Sequence, residues 1–177
     1  DWDVTFEATH HGPMLDTPTL FAEIGSTEDE WGRKDAGRCW AEALWAELSA
    51  SPAGRARESA LVVIGGNHYM AQVNDIVRDH PHIKVGHMLA SYVLENAGPE
   101  ETLSTVRTAL EATARAHPNA PALMVLCFKK KLKSADRSTV LAALDACAAD
   151  WQGPPLQLLM SVSDLRAALG PTTGARG

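Results

Sequence analysis

The chain is poor in cysteine, with 3 thiols in 177 residues: Cys39, Cys127 and Cys147. They are odd in number and far apart, and no Cys-x-x-Cys pair occurs, which excludes a cysteine zinc knuckle and argues against a disulfide framework. Each is expected as a small buried apolar group in a protein of a reducing compartment. Long apolar runs are also missing. None approaches the roughly 20 residues of a membrane helix, and the start lacks the basic and then apolar order of a secretory signal. No membrane partner and a cytoplasmic location are the expectations. Neither an internal repeat nor a low-complexity segment occurs in the body of the chain, and the Gly-x-Gly-x-x-Gly dinucleotide fingerprint is absent. Positive charge is in deficit. A net charge of -6 argues against indiscriminate nucleic-acid binding, whose affinity comes from neutralised phosphates, but it leaves room for a local basic face.

What is present is an ordinary globular composition, 45% hydrophobic and 21% charged, which supports one domain. That domain is expected over residues 1–162, with a short helix and a disordered tail over 163–177. At this size about two thirds of the unfolded surface is buried on folding, so a metal is not needed merely to fold; any metal held serves chemistry.

Residues 3–9 and 19–24 read as short strands around a Gly/Pro turn. Thr27 with Glu30 forms a capping box, and Glu28, Asp29 and Glu30 put negative charge where a helix dipole favours it. The helix they open is expected to run to about Leu48, with Ala36, Trp40, Leu44 and Leu48 on one apolar stripe. Leu61-Val62-Val63-Ile64, Ile83-Lys84-Val85, Leu123-Met124-Val125-Leu126 and the run Leu156 to Met160 read as strands. Between them fall a helix opened by Gly98-Pro99, with Leu103, Val106 and Leu110 on one face, and another capped by Ser134, with Val140, Leu141, Leu144 and Ala148. Strand and helix alternate, which predicts α/β layers.

Groups able to bind metal or move protons recur where the apolar runs end. They lie in Glu7-Ala8-Thr9-His10-His11-Gly12-Pro13, Phe21-Ala22-Glu23-Ile24-Gly25-Ser26-Thr27-Glu28, Gly65-Gly66-Asn67-His68-Tyr69 and Val85-Gly86-His87-Met88. Imidazole and carboxylate are normal zinc ligands, and an open coordination position supplies hydroxide near neutral pH. His10, His68 and His87 are the candidate ligands; His10, His11, Glu7 and Glu23 are the candidate catalytic groups. Without metal, a histidine serves as general base on water while Glu7 or Glu23 fixes its tautomer. Both routes stay open. Neighbours on a strand point to opposite faces, so His10 and His11 share one ion only if the chain bends at Gly12-Pro13. Glu23, inside an apolar run, is expected to have a cationic partner or a functional task, because an unpaired buried charge is costly. Gly65 and Gly66 read first as a close-approach turn and second, with Tyr69 and Glu28, as substrate contacts; Glu28 by itself is a helix-start carboxylate. His68, Tyr69 and His87 gain weight from their place at the carboxyl ends of strands, where open α/β sheets bind ligands. His80, His82 and His117 read as surface or cap residues.

Taken in this order, the blocks from Glu7 to Pro13, Phe21 to Glu28, Gly65 to Tyr69 and Gly86 to Met88 resemble the signature blocks of archaeal and plant-type D-aminoacyl-tRNA deacylases. The likeness extends from about residue 3 to about residue 160. It implies a three-layer α/β/α fold, phosphorylase/hydrolase-like with a mixed sheet, shorter at its N-terminus than family members. It also implies an ester hydrolase that frees D-amino acids from mischarged tRNA, with zinc as cofactor, D-aminoacyl-tRNA as partner and a monomer as the working form. Plant-type members are further associated with clearing aldehyde-modified D-aminoacyl-tRNAs. Where the family has a Pro-Arg step after the His-Tyr pair, this chain has Ala71-Gln72, which removes one candidate phosphate contact. Lys129-Lys130-Lys131-Leu132-Lys133 then reads as the tRNA contact, through Lys129, Lys130, Lys131 and Lys133, rather than as a solvated loop. Two readings compete: a zinc-dependent peptidase or amidohydrolase on a similar scaffold, and an inactive fragment acting as a binding module.

Overall fold

The computed structural model describes residues 2–10, 12, 15–50 and 58–170. Along them run α1 (Glu28–Trp31), α2 (Lys34–Ser49), β1 (Ala60–Ile64), α3 (Ala71–Asp79), β2 (Lys84–Leu89), α4 (Ser91–Leu94), α5 (Pro99–Ala116), β3 (Leu123–Cys127), a 3-10 turn (Lys129–Lys131), α6 (Ser134–Ala149), β4 (Leu156–Leu159) and α7 (Val162–Leu169). They fall into two units, Asp1–His10 with Arg57–Gly177, and His11–Ala56. No helix among the described residues is long and apolar enough to cross a membrane.

The first unit is organised by a sheet of order β2-β1-β3-β4. Its two central strands, Ala60–Ile64 and Leu123–Cys127, are apolar and buried at every residue, as a strand covered on both faces must be. β1 pairs with β3 in unbroken parallel register from Ala60 opposite Leu123 to Ile64 opposite Cys127. The period of two along each strand then divides the core. Ala60, Val62, Ile64, Leu123, Val125 and Cys127 pack with Val106 and Leu110 of α5 and Val140 and Leu144 of α6. Leu61, Val63, Met124 and Leu126 pack on the other face with Val73 and Ile76 of α3 and Leu165 of α7. Each such aliphatic side chain contributes about 1.5–3 kcal/mol on burial.

This is the expected three-layer α/β/α arrangement. All four strands are parallel, and the antiparallel part expected of a mixed sheet is confined, among the described residues, to one bridge between Glu7 and Tyr69. From β1 the chain steps outward to β2, then crosses back over β1 to β3. The connections after β1 and β3 therefore leave on opposite faces, which opens a crevice at the carboxyl ends of those strands.

Several expectations need correction. Residues 19–24 have no regular structure, and 3–9 contribute only the bridge at Glu7 rather than a strand. The long helix is broken after Trp31: Gly32 ends α1, and the Arg33 guanidinium donates to both carboxylate oxygens of Asp35 at 2.9 and 2.6 Å as α2 begins. On α2, Ala36 is buried, but Leu44, Trp45 and Leu48 are exposed, and no strand occurs among the described residues of that unit to receive the apolar stripe. Cys39 is exposed, whereas Cys127 and Cys147 are buried as expected. Ser134 is the first helical residue of α6 and Lys133 its N-cap; Ala148 is exposed and Cys147 takes the buried position. The nine-residue helix α3 was not anticipated, because its N-cap is Met70, which makes no side-chain cap bond and so leaves no start signal in the sequence. The tail over 171–177 lies outside the described residues.

Candidate active site

The site is built where an irregular segment near the start of the chain crosses the carboxyl ends of β1 and β2. Its backbone is pinned residue by residue. The Phe6 N–H donates to Asn74 Oδ1 at 2.8 Å and its carbonyl accepts from Met70 N–H at 2.9 Å. Ala8 N–H donates to the His68 carbonyl at 2.8 Å, and Thr9 N–H to the Met88 carbonyl at 2.7 Å. Met88 N–H returns a bond to Thr9 Oγ1 at 3.0 Å. Ala8 is buried in the core beside Met70 and Met88, so its neighbours Glu7 and Thr9 are directed outward, toward the strand ends.

Beneath this segment lies the Gly65-Gly66 turn. Both residues have positive φ, +87° and +111°, a region that favours glycine. A Cβ on Gly65 would sit 3.2 Å from the Phe128 carbonyl oxygen, and one on Gly66 would sit 3.2 Å from Met70 Sδ. The turn's amides are already engaged: Gly65 N–H donates to the Leu89 carbonyl at 2.7 Å and Gly66 N–H to Ser91 Oγ at 3.0 Å. The Ser91 hydroxyl in turn donates to the Lys131 carbonyl at 2.9 Å. The turn is thus the close-approach device that lets the ends of β1, β2 and β3 meet. Both of its N–H groups are taken up within the fold.

Three of the predicted residues converge above it. One ligand atom each from Glu7, His10 and His68 lie within 4.8 Å of one another. His68 Nε2 is 3.5 Å from Glu7 Oε2, and the rings of His10 and His68 have centroids 4.6 Å apart. His10 Nδ1 lies 2.7 Å from the Ala8 carbonyl oxygen. A carbonyl only accepts, so Nδ1 carries the proton and Nε2 is the basic nitrogen. His68 is flanked edge-on by Tyr69 at 4.9 Å and in parallel stacking by Tyr92 at 6.5 Å, and its Nδ1 lies 3.2 Å from the Tyr92 hydroxyl. Two imidazole nitrogens and a carboxylate oxygen in one half-exposed group match the donor set of a three-ligand zinc centre with an open position. They equally match a histidine base oriented by a carboxylate.

The other predicted residues are placed elsewhere. His87 is not brought to the group: it faces α5, where its backbone N–H and ring Nδ1 lie 3.2 and 3.1 Å from Thr113 Oγ1. Strand alternation is the reason, since Met88, the next residue, is the one directed at the Thr9 face. Burial, and secondly the Arg115 charge, hold the His87 pKa below the usual imidazole range. His11 lies outside the described residues. Glu23 and Glu28 belong to the second unit and both are exposed. The cost of burying a charge does not arise for Glu23, whose carbonyl accepts from the Trp40 indole at 3.1 Å; Glu28 opens α1 as a helix-start carboxylate.

Lys129, Lys130 and Lys131 form the exposed 3-10 turn directly after β3, tied to the glycine turn through Ser91. Lys133 is held by Glu95 at 2.9 Å. His80 and His117 are the C-caps of α3 and α5, as expected. Ser91 and Tyr92 were missed. The signal that could have found them is the one that singled out His68, a polar and aromatic pair a few residues past the carboxyl end of a strand.

The fold and geometry define an open, doubly wound parallel α/β protein that carries a His-His-carboxylate group near the carboxyl ends of β1 and β2, the edge where such sheets bind ligands. The chain belongs to the D-aminoacyl-tRNA deacylase family, whose model matches residues 1–152. It is 34% identical over 150 residues to a D-aminoacyl-tRNA deacylase of Arabidopsis thaliana, covering 73% of this chain and 47% of that protein. It is 45% identical over 87 residues to one of Methanothrix thermoacetophila, covering 49% of this chain and 32% of that one. A crystal structure of a conserved protein of unknown function, AF0625, superposes with a TM-score of 0.60 at 26% identity, covering 87% of this chain and 48% of that one. The chain thus spans about half the length, or less, of these relatives.

Proposed function

We propose that the protein hydrolyses the ester bond of D-aminoacyl-tRNA, releasing the D-amino acid and tRNA, at the group formed by Glu7, His10 and His68. The observation that carries this reading is convergence: two blocks separated by more than fifty residues of sequence, Glu7 to His10 and Gly65 to Tyr69, supply one compact group of two imidazoles and a carboxylate. The relatives at 34% and 45% identity carry the deacylase name, which supports the choice of ester.

The nitrogen and oxygen donors fit zinc, and when bound to such a site zinc lowers the pKa of a coordinated water to about 7. The chain's own contribution is geometric. With zinc bound, His10 Nε2 would be one of its ligands; without metal, His10, fixed through Nδ1–H, presents the same Nε2 to the water that attacks the ester carbonyl and takes up its proton. Glu7 stands against His68 and supports the imidazole by charge. Exposed Lys129, Lys130 and Lys131, joined to the glycine turn by Ser91, contact phosphates of the acceptor end, while Lys133 is occupied by Glu95. A net charge of -6 requires such local attraction. One copy supplies all three groups, so the working form in this reading is a monomer, acting on cytoplasmic tRNA.

The test is deacylation of D-tyrosyl-tRNA and L-tyrosyl-tRNA by this chain, with zinc and again after chelation. Selective release from the D-ester, abolished by the chelator, is the expected result. Release from neither ester by folded protein overturns the reading. Peptide or amide hydrolysis indifferent to salt and to Lys130→Ala or Lys131→Ala would favour a peptidase or amidohydrolase instead.

A further inference from the structure

We infer that Tyr92 is a positioning residue for the group, holding the orientation of His68 through its phenol while Glu7, or a cation beside it, decides which ring nitrogen carries the proton. This rests on the hydrolytic reading of Glu7, His10 and His68. Tyr92 is 48% exposed, so its ring is not held for core packing, yet its hydroxyl lies 3.2 Å from His68 Nδ1 and its ring stacks on the imidazole with planes 26° apart. The backbone that carries it is fixed on both sides. Ser91 N–H donates to the Gly66 carbonyl at 2.9 Å, and Ser91 Oγ bridges Gly66 N–H and the Lys131 carbonyl. Two residues beyond Tyr92, Leu94 is 1% exposed and anchors α4 in the core.

The two histidines of the group are held by different chemistry. His10 has a carbonyl at Nδ1, which only accepts, so one tautomer is imposed. His68 has a hydroxyl at Nδ1, which donates or accepts. With Glu7 ionised 3.5 Å from Nε2 and no cation between them, an Nε2 lone pair facing the carboxylate is repelled. His68 therefore keeps its proton on Nε2, and Tyr92 donates to Nδ1. When a cation stands between Nε2 and Glu7, the proton belongs on Nδ1 and the same phenol oxygen accepts it. Tyr92 can hold the ring in one orientation through both states, as a backbone carbonyl cannot.

Tyr92→Phe removes the hydroxyl and keeps the ring. Long-range proton–nitrogen spectra of the imidazoles are recorded on chelator-treated protein at about pH 8.5, chosen well above the usual imidazole range. The expected result is His68 protonated at Nε2 in both proteins, with its Nδ1 resonance shifted in Y92F by loss of the phenol donor, and exposed His82 the same in each. Identical His68 spectra in the two proteins overturn the inference. In the kinetic arm, Y92F is expected to lower kcat on D-tyrosyl-tRNA about tenfold, the usual scale for an outer partner of a ligating histidine, with KM unchanged. An active wild type and an equally active Y92F also overturn it. If the wild type releases neither ester, the deacylase reading falls, and the spectra alone decide the role of Tyr92.

Discussion

Replacing Gly86 by alanine tests whether the Gly86-His87 pair serves packing or chemistry. A Cβ built on Gly86 would lie 2.3 Å from Thr113 Cγ2, 2.5 Å from Thr113 Oγ1 and 2.9 Å from Thr113 Cβ. Thr113 is only 1% exposed on α5, so neither it nor the strand has open space to move into. Overpacking of this kind costs about 1–3 kcal/mol. Displacing Thr113 also disrupts its two bonds to His87, each about 1 kcal/mol, for a total of about 3–5 kcal/mol if both are lost. Thr113→Ala alone loses those bonds and leaves His87 N–H short of a partner, at about 1–3 kcal/mol. In the double variant the Cγ2 and Oγ1 contacts vanish and only the 2.9 Å approach to Cβ stays. The double variant is therefore expected to be more stable than the sum of the singles by at least about 1 kcal/mol, the scale on which touching residues couple. Equilibrium urea unfolding, with the slope held common to the four proteins, measures the cycle. Additivity within about 0.5 kcal/mol would refute the packing role.

Further outcomes follow from the same geometry. His10→Ala and His68→Ala are each expected to lower deacylation on the order of a hundredfold, the lower range for a proton-transfer group, whereas His117→Ala, at a helix end, leaves turnover little changed; equal losses from all three would sink the site. Substituting Lys129, Lys130 and Lys131 together by alanine is expected to raise KM for D-tyrosyl-tRNA and flatten its salt dependence while kcat is kept, and a salt slope identical to wild type would remove these lysines from the tRNA contact. Burial, and secondly Arg115 for His87 and Lys84 for His117, hold both pKa values down. The unfolded chain then takes up protons first, so the stability these groups contribute is present above about pH 6.5 and lost as pH falls through the folded values. Urea midpoints should fall on acidification, and His87→Gln together with His117→Gln should flatten that fall; an unaltered pH profile would show that neither histidine is held neutral.

What could be read from the sequence was what local pattern determines. Leu61 to Ile64 and Leu123 to Leu126 are β-branched or aliphatic runs with no competing period, and both are fully buried central strands. The helix from Pro99 announced itself by Gly-Pro at one end and His-Pro at the other, and it spans Pro99–Ala116. Thr27 and Glu30 make the predicted contact, with Glu30 Oε2 accepting from Thr27 N–H at 2.8 Å, but a box says where a helix starts and not how far it runs. The break at Gly32 was missed because the capping box at Thr27 was joined directly to the apolar stripe that begins only at Ala36. Glu23 was misread because its flanking Phe21, Ala22 and Ile24 are apolar, and apolar composition does not guarantee burial; Phe21 is 53% exposed.

The candidate site was half legible for a related reason. Chemistry-bearing residue types can be seen one at a time, but whether they meet depends on which strand face each occupies. His68 and His87 were both expected at the carboxyl ends of strands, so position alone ranked them equally, whereas His87 lies within β2. The crossing of residues 6–9 over the ends of β1 and β2 breaks the tie. Thr9 pairs with Met88, which commits one face of β2 to the reactive group and turns His87 toward Thr113 on the other. The same crossing sets Glu7 beside His68, a pairing across sixty residues of chain that no spacing rule contains. Thr9 thus fixes which face of β2 meets the crossing segment, and with it which histidine stands beside Glu7 and His10, although it offers no ligand of its own to the group.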